Sequence, residues 1–140
     1  MSILMLDTSG YAAFKRGHQE AIDAVRQAPS ILVPSIALGE LLAGFEVGGR
    51  RLENRRELTE FQHSPRVGVV LVTEDTAERY VRIYAHLRTA GRPIPTNDLW
   101  IAASAMEHGA ELLTTDRHFL DVPQIVVRFF EVDLPTSSQP

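Results

Sequence analysis

Cysteine is absent from the 140 residues, which excludes disulfide stapling, thiolate zinc sites and a cysteine nucleophile together. Lysine is nearly absent: Lys15 is the only one, and every other basic residue is arginine. No Gly-rich loop ending in Lys-Ser/Thr and no Gly-x-Ser-x-Gly elbow occurs, so P-loop nucleotide hydrolysis and elbow-type acyl transfer have no sequence basis. No run approaches the roughly 18 apolar residues that a membrane span requires. Internal repeats are also missing. Basic excess is absent too: 14 Lys+Arg stand against 18 Asp+Glu, a formal charge of −4. The chain is no polycation that coats nucleic acid indiscriminately, and any such binding must come from a local patch.

What is present is an ordinary globular composition, 44% hydrophobic and 23% charged, on a chain long enough for one self-sufficient core. A single domain over residues 1–134 is expected, with the small, polar segment 135–140 as a disordered tail. The absence of a membrane span and of a basic leader predicts a soluble, cytoplasmic protein.

Short apolar runs alternate with helical patterns. Ile3 to Leu6 reads as a buried strand, ended by Asp7-Thr8-Ser9-Gly10, turn and N-cap types that open a helix through Tyr11 to Arg16. Glu20 to Gln27 reads as a helix, Ile31 to Val33 as a strand closed by Pro34, and Ile36 to Phe45 as a helix capped by Ser35. A charged helix spans Arg50 to His63, and Val67 to Val72 is a strand. Thr73 caps a helix reaching about Ala90, with Glu74 and Asp75 in its first turn. Thr96 caps a helix to about His108 that Gly109 stops, and strands follow at Leu112 to Thr115 and Val126 to Phe130. This alternation predicts an α/β fold in three layers, helices covering both faces of a mostly parallel sheet of about five strands. Ligands in such folds bind beyond the carboxyl ends of the strands.

Four acids stand out, three by isolation and the fourth, Asp116, more weakly in a polar context. Asp7 is the only charge between Met1 and Phe14 and falls at the end of the first strand. Glu40 is the only charge from Pro29 to Phe45, with Ile36, Ala37, Ala43 and Gly44 around it at helical spacing. Asp98 is the only charge from Pro93 to Met106, in the first turn of an otherwise apolar helix. Asp116 ends a strand beside Thr114 and Thr115, with Asp121 nearby as a possible substitute. Each has a bland reading: helix capping for Asp7 and Asp116, the helix dipole for Asp98, a solvated helix edge for Glu40. Against these, a carboxylate removed from water costs several kcal/mol unless paired or bound to a cation. Two acids end strands and two occupy helices near the same sheet edge, so they could converge. Carboxylates that converge repel, and at neutral pH they are kept together by protonation or by a hard cation. Oxygen donors select Mg²⁺ or Mn²⁺, and a hard ion with aligned water hydrolyses phosphodiesters without a nucleophilic side chain.

The five histidines show no paired zinc spacing, and only His118 is near these acids, where a substrate or catalytic contact competes with a structural role. Arg50, Arg51, Arg55 and Arg56 are interleaved with Glu53, Glu57 and Glu60. Pairs such as Arg50 with Glu53 and Arg56 with Glu60 favour a solvated helix face over RNA contact.

Leu6-Asp7-Thr8-Ser9, Glu40, Asn97-Asp98-Leu99-Trp100-Ile101-Ala102-Ala103 and Leu113-Thr114-Thr115-Asp116-Arg117-His118-Phe119, in this order, resemble the PIN domain, especially VapC-type toxins of type II toxin–antitoxin systems. The resemblance extends to about Phe130, and Ser9 stands where many relatives carry Asn. It implies that Asp7, Glu40, Asp98 and Asp116 are the acidic metal-binding and catalytic residues, with Thr115 and Thr8 as supporting hydroxyls. It implies a Mg²⁺- or Mn²⁺-dependent endoribonuclease, a homodimer, and a small VapB-type antitoxin that inhibits by placing an arginine or similar group in the acidic site. Two other readings fit parts of the pattern. A non-catalytic PIN-like module would bind RNA or protein through the same cleft. A phosphatase of the haloacid dehalogenase type also ends its first strand in Asp, but it needs an acid where Ser9 stands.

Overall fold

The computed structural model describes residues 2–132, so the tail expected at 135–140 lies outside the described residues. The chain runs β1 (Ile3–Leu6), α1 (Thr8–Lys15), α2 (Gln19–Gln27), β2 (Ser30–Pro34), α3 (Ser35–Val47), α4 (Arg51–Gln62), β3 (Val67–Val70), α5 (Glu74–Thr89), α6 (Thr96–His108), β4 (Glu111–Thr114), a 3₁₀ helix (Arg117–Asp121) and β5 (Val126–Phe129). The five strands form one sheet in the order β3-β2-β1-β4-β5, parallel at every pairing. The α/β class and the strand number agree with the sequence reading.

Burial of both sheet faces explains why the strands are continuous apolar runs instead of alternating ones. Leu4, Leu6, Ile31 and Leu113 face a core closed by Tyr11, Ala13, Ala21, Val25, Leu41 and Leu58 from α1 to α4. Met5 and Leu112 face the opposite core, closed by Ala37, Ile83, Leu87, Leu99, Ile101 and Ala102. Met5, Leu6, Leu112 and Leu113 are fully buried, each contributing about 1.5–3 kcal/mol of transfer free energy. Tyr80 of α5 lies 4.2 Å from Trp100 of α6, ring centroid to centroid, which ties these two helices together.

Helix ends follow local chemistry, with caps set by threonine, glycine and proline. Thr73 caps α5 in a reciprocal box with Thr76, and Gly109 ends α6 in the left-handed region at φ 60°. Ser35 and Thr96, expected as caps, are instead the first residues of α3 and α6, because Pro34 and Pro95 occupy the cap positions with no side-chain bond. Proline's fixed φ suits the extended-to-helical transition, and its missing N–H costs nothing there. Strand β3 stops at Val70, leaving Leu71 and Val72 exposed, and β4 stops at Thr114. The 3₁₀ helix was not foreseen: Asp116 nucleates it by accepting the His118 N–H.

Sheet order positions the site. The chain departs from β1 in one direction through β2 and β3, then returns to the other side as β4. The reversal between β1 and β4 leaves a crevice at their carboxyl ends. Asp7 and Asp116 follow those two ends.

Candidate metal centre

Asp7 is built into the start of α1. Its backbone is extended and its side chain caps the helix by accepting the Gly10 N–H at 2.7 Å. The bland reading therefore holds, but it is not the whole role. Oδ2 of Asp7 also accepts the Thr114 hydroxyl at 2.6 Å, and the Ser9 hydroxyl donates to the same carboxylate. Register explains the Thr114 contact: Leu6 pairs with Leu113, so one step further places Asp7 beside Thr114. Burial drives the Asp7 carboxyl up to about 6 against the pull of these donors, with the Asp116 charge adding to the rise.

Gly10 makes this approach possible. A Cβ there would lie 2.3 Å from the Leu113 carbonyl oxygen and 3.2 Å from Asp7 Oδ1. Only a residue without a side chain lets the first turn of α1 press against β4.

Glu40 reaches the same place from α3. Its Oε1 accepts the Thr8 hydroxyl at 2.6 Å and its Oε2 accepts the Asn97 amide at 3.1 Å. Asp98, from the first turn of α6, has its carboxyl raised by desolvation, then by the charges of Asp116 and Glu40. Asp116 is held through its backbone, its N–H donating to Thr114 Oγ1 at 2.9 Å. The structure thus brings Asp7, Glu40, Asp98 and Asp116 onto one open cleft of about 270 Å³, together with Thr8, Ser9, Ala12 and Ile101.

Two expectations change in detail. The fully buried hydroxyl that reaches Asp7 from β4 is that of Thr114, whereas Thr115, expected as a supporting hydroxyl, gives its backbone N–H to Ser9 Oγ at 3.0 Å. Asp121 does not join the cleft; it pairs with Arg92 at 3.2 Å. Thr8 does support an acid, Glu40, and Asn97 was not singled out as a contact. His118 lies over the acids, its Nδ1 3.1 Å from Asp98 Oδ2 and 3.0 Å from Asp116 Oδ1. The charged helix α4 keeps the Arg50–Glu53 pair, but Arg51 pairs with Glu46 and, among the described residues, Arg56 and Glu60 form no ion pair.

The donor set fits a hard divalent ion: carboxylate oxygens that repel one another, one of them in a buried carboxyl that resists ionisation, on a cleft open to solvent. Donor atoms of Asp98, Asp116 and His118 lie within 4.8 Å of one another.

A parallel sheet whose reversal point gathers acids is the architecture of a PIN domain, and the PIN domain model matches residues 4–125. The chain belongs to this family. It is 33% identical over 96 residues to ribonuclease VapC4 of Mycobacterium tuberculosis, a match covering 68% of this chain and 73% of that protein. With ribonuclease VapC5 of the same organism it shares 30% identity over 119 residues, 82% and 84% of the two chains. Among solved structures, the DNA-bound VapBC of Salmonella typhimurium superposes with a TM-score of 0.79 at 25% identity, covering 92% of this chain and 98% of that one.

Proposed function

We propose that this chain is a VapC-type endoribonuclease toxin that hydrolyses RNA phosphodiester bonds with Mg²⁺ or Mn²⁺ and is inhibited by a cognate antitoxin. Its relatives' names as ribonucleases support this reading, as does its likeness to a VapBC toxin–antitoxin structure from Mycobacterium tuberculosis. The observation that carries it is the convergence of four separately delivered carboxylates on one cleft. That arrangement is costly unless a cation compensates it. Asp7, Asp98 and Asp116 would hold the ion, with Glu40 beside them. A bound Mg²⁺ or Mn²⁺ supplies charge neutralisation at the scissile phosphate and lowers the pKa of water.

The chain's own groups do the rest. Gly10, Ser9 and Thr114 fix the Asp7 carboxylate so that little reorganisation is needed when the ion binds. Thr8 and Asn97 engage both oxygens of Glu40 and fix its plane at the cleft, where it can orient water and take up its proton. The cleft is open, as a polymeric substrate requires. Its acids have no arginine or lysine partner among the described residues, so an antitoxin cation inserted there would meet carboxylates that no guanidinium or ammonium of this chain already holds. A homodimer, implied by the resemblance, has apolar side chains available at Val81 and Tyr84, which α5 leaves exposed. Cytoplasmic action accords with an RNA substrate.

The test is incubation of total cellular RNA with the purified, antitoxin-free chain in Mg²⁺ or Mn²⁺, in EDTA, and with Asp7→Asn or Asp98→Asn. Discrete fragments that need metal, and a loss of roughly a hundredfold or more in rate for each variant, are expected. Folded protein that leaves every RNA pool intact would favour the binding-module reading.

A further inference from the structure

His118 sits where a ligand would sit, not where a bystander would. Its place is fixed by the turn that carries it. Asp116 Oδ1 accepts the His118 backbone N–H at 2.9 Å, and the next residue, Phe119, is fully buried and anchors the 3₁₀ helix. Arg117 points the other way, stacking its guanidinium 5.1 Å from the Phe129 ring centroid and pairing with Glu131. The imidazole therefore turns back over the acids, and one atom, Nδ1, faces two carboxylates from different elements at 3.1 and 3.0 Å. A single ring N–H can point at only one of them. One cation between the three donors would serve all three. The spacing suits that: adjacent corners of an octahedron with bonds of roughly 2.1 Å are roughly 3.0 Å apart.

We infer that His118 is an imidazole ligand of the ion held by Asp98 and Asp116, and that it biases the site toward Mn²⁺ and later first-row ions over Mg²⁺. The inference rests on the metal-dependent reading above and adds a nitrogen donor to it. Mg²⁺ takes oxygen ligands and gains little from imidazole, whereas affinity for nitrogen donors grows along the series from Mn²⁺ onward. His118 is also half-exposed, with 49% of its side chain accessible, so its replacement removes a donor without opening the core.

The experiment uses the tag-free, EDTA-treated chain and Mn²⁺ as probe. Pulsed electron paramagnetic resonance of the Mn²⁺ complex should show ¹⁴N coupling from a directly bonded imidazole, and His118→Gln should abolish it. Competition by Mg²⁺, followed through the signal of released Mn²⁺, should show that the preference for Mn²⁺ falls roughly tenfold or more in His118→Gln. Circular dichroism checks that the variant is folded, and the wild-type ¹⁴N signal stands without any variant. Mn²⁺ binding without ¹⁴N coupling, and with unchanged Mg²⁺ competition in His118→Gln, would overturn the inference while leaving the carboxylate site intact. Absence of Mn²⁺ binding to the wild-type chain would overturn both this inference and the metal-dependent reading.

Discussion

Burial holds the Asp7 carboxyl at about 6, so between its ordinary value near 3.8 and that figure the folded chain keeps a proton that the unfolded chain has lost. Stability from this group is fully present below the lower value and disappears as pH rises through the higher one. Chemical denaturation in EDTA should therefore show the chain losing about 2 to 3 kcal/mol between pH 4 and pH 7 through Asp7. Asp7→Asn should flatten that loss and make the metal-free protein more stable at pH 7, because the amide can still accept from Gly10 while the Ser9 and Thr114 hydroxyls turn to accept from it. A variant that is less stable at pH 7 would mean that capping outweighs burial at this residue. Asp7, Glu40 and Asp98 were legible because a charge in an apolar stretch demands a reason; Asp116, followed at once by Arg117, gave a weaker signal and stood out by its place at the end of a strand. Thr114 was not distinguishable from Thr115, since choosing between adjacent hydroxyls requires the β1–β4 register, a long-range property. Asn97 carries no charge to mark it.

Between β4 and α1 there is no room for a side chain, and the contact of these two elements sets the depth of Asp7. Gly10→Ala would drive a methyl into the Leu113 carbonyl, so it should cost about 1–3 kcal/mol in urea denaturation and weaken metal binding as Asp7 shifts. Gly44→Ala, in α3 with nothing within 4 Å of the added Cβ, should instead be neutral or stabilising by up to about 1 kcal/mol. Equal gains in the two variants would show that helix propensity alone is being measured. Elements and their order were readable from apolar runs, prolines and caps. The 3₁₀ helix was not, because Arg117 to Asp121 is too short for a periodicity and is organised by the Asp116 side chain.

The whole molecule should register the ion as a stabilising ligand. At a concentration about a hundredfold above Kd, a metal that binds only the folded chain adds about 2.7 kcal/mol, enough to raise Tm by several degrees in a domain of this size. Thermal unfolding with Mn²⁺ should show this rise, and Asp98→Asn should remove it; an unchanged Tm for the wild type would contradict a preformed site. Sheet order also governs when such a site can exist. β1 is first in the chain and central in the sheet, so during synthesis one of its edges waits unpaired until β4 arrives from more than a hundred residues downstream. Asp7 is made more than a hundred residues before Thr114, which donates to it across that edge, and before Asp116, whose charge acts on it. A growing chain that already carries Asp7, Glu40 and Asp98 therefore still lacks the strand end that completes their cleft, and the four acids meet only once β4 has docked.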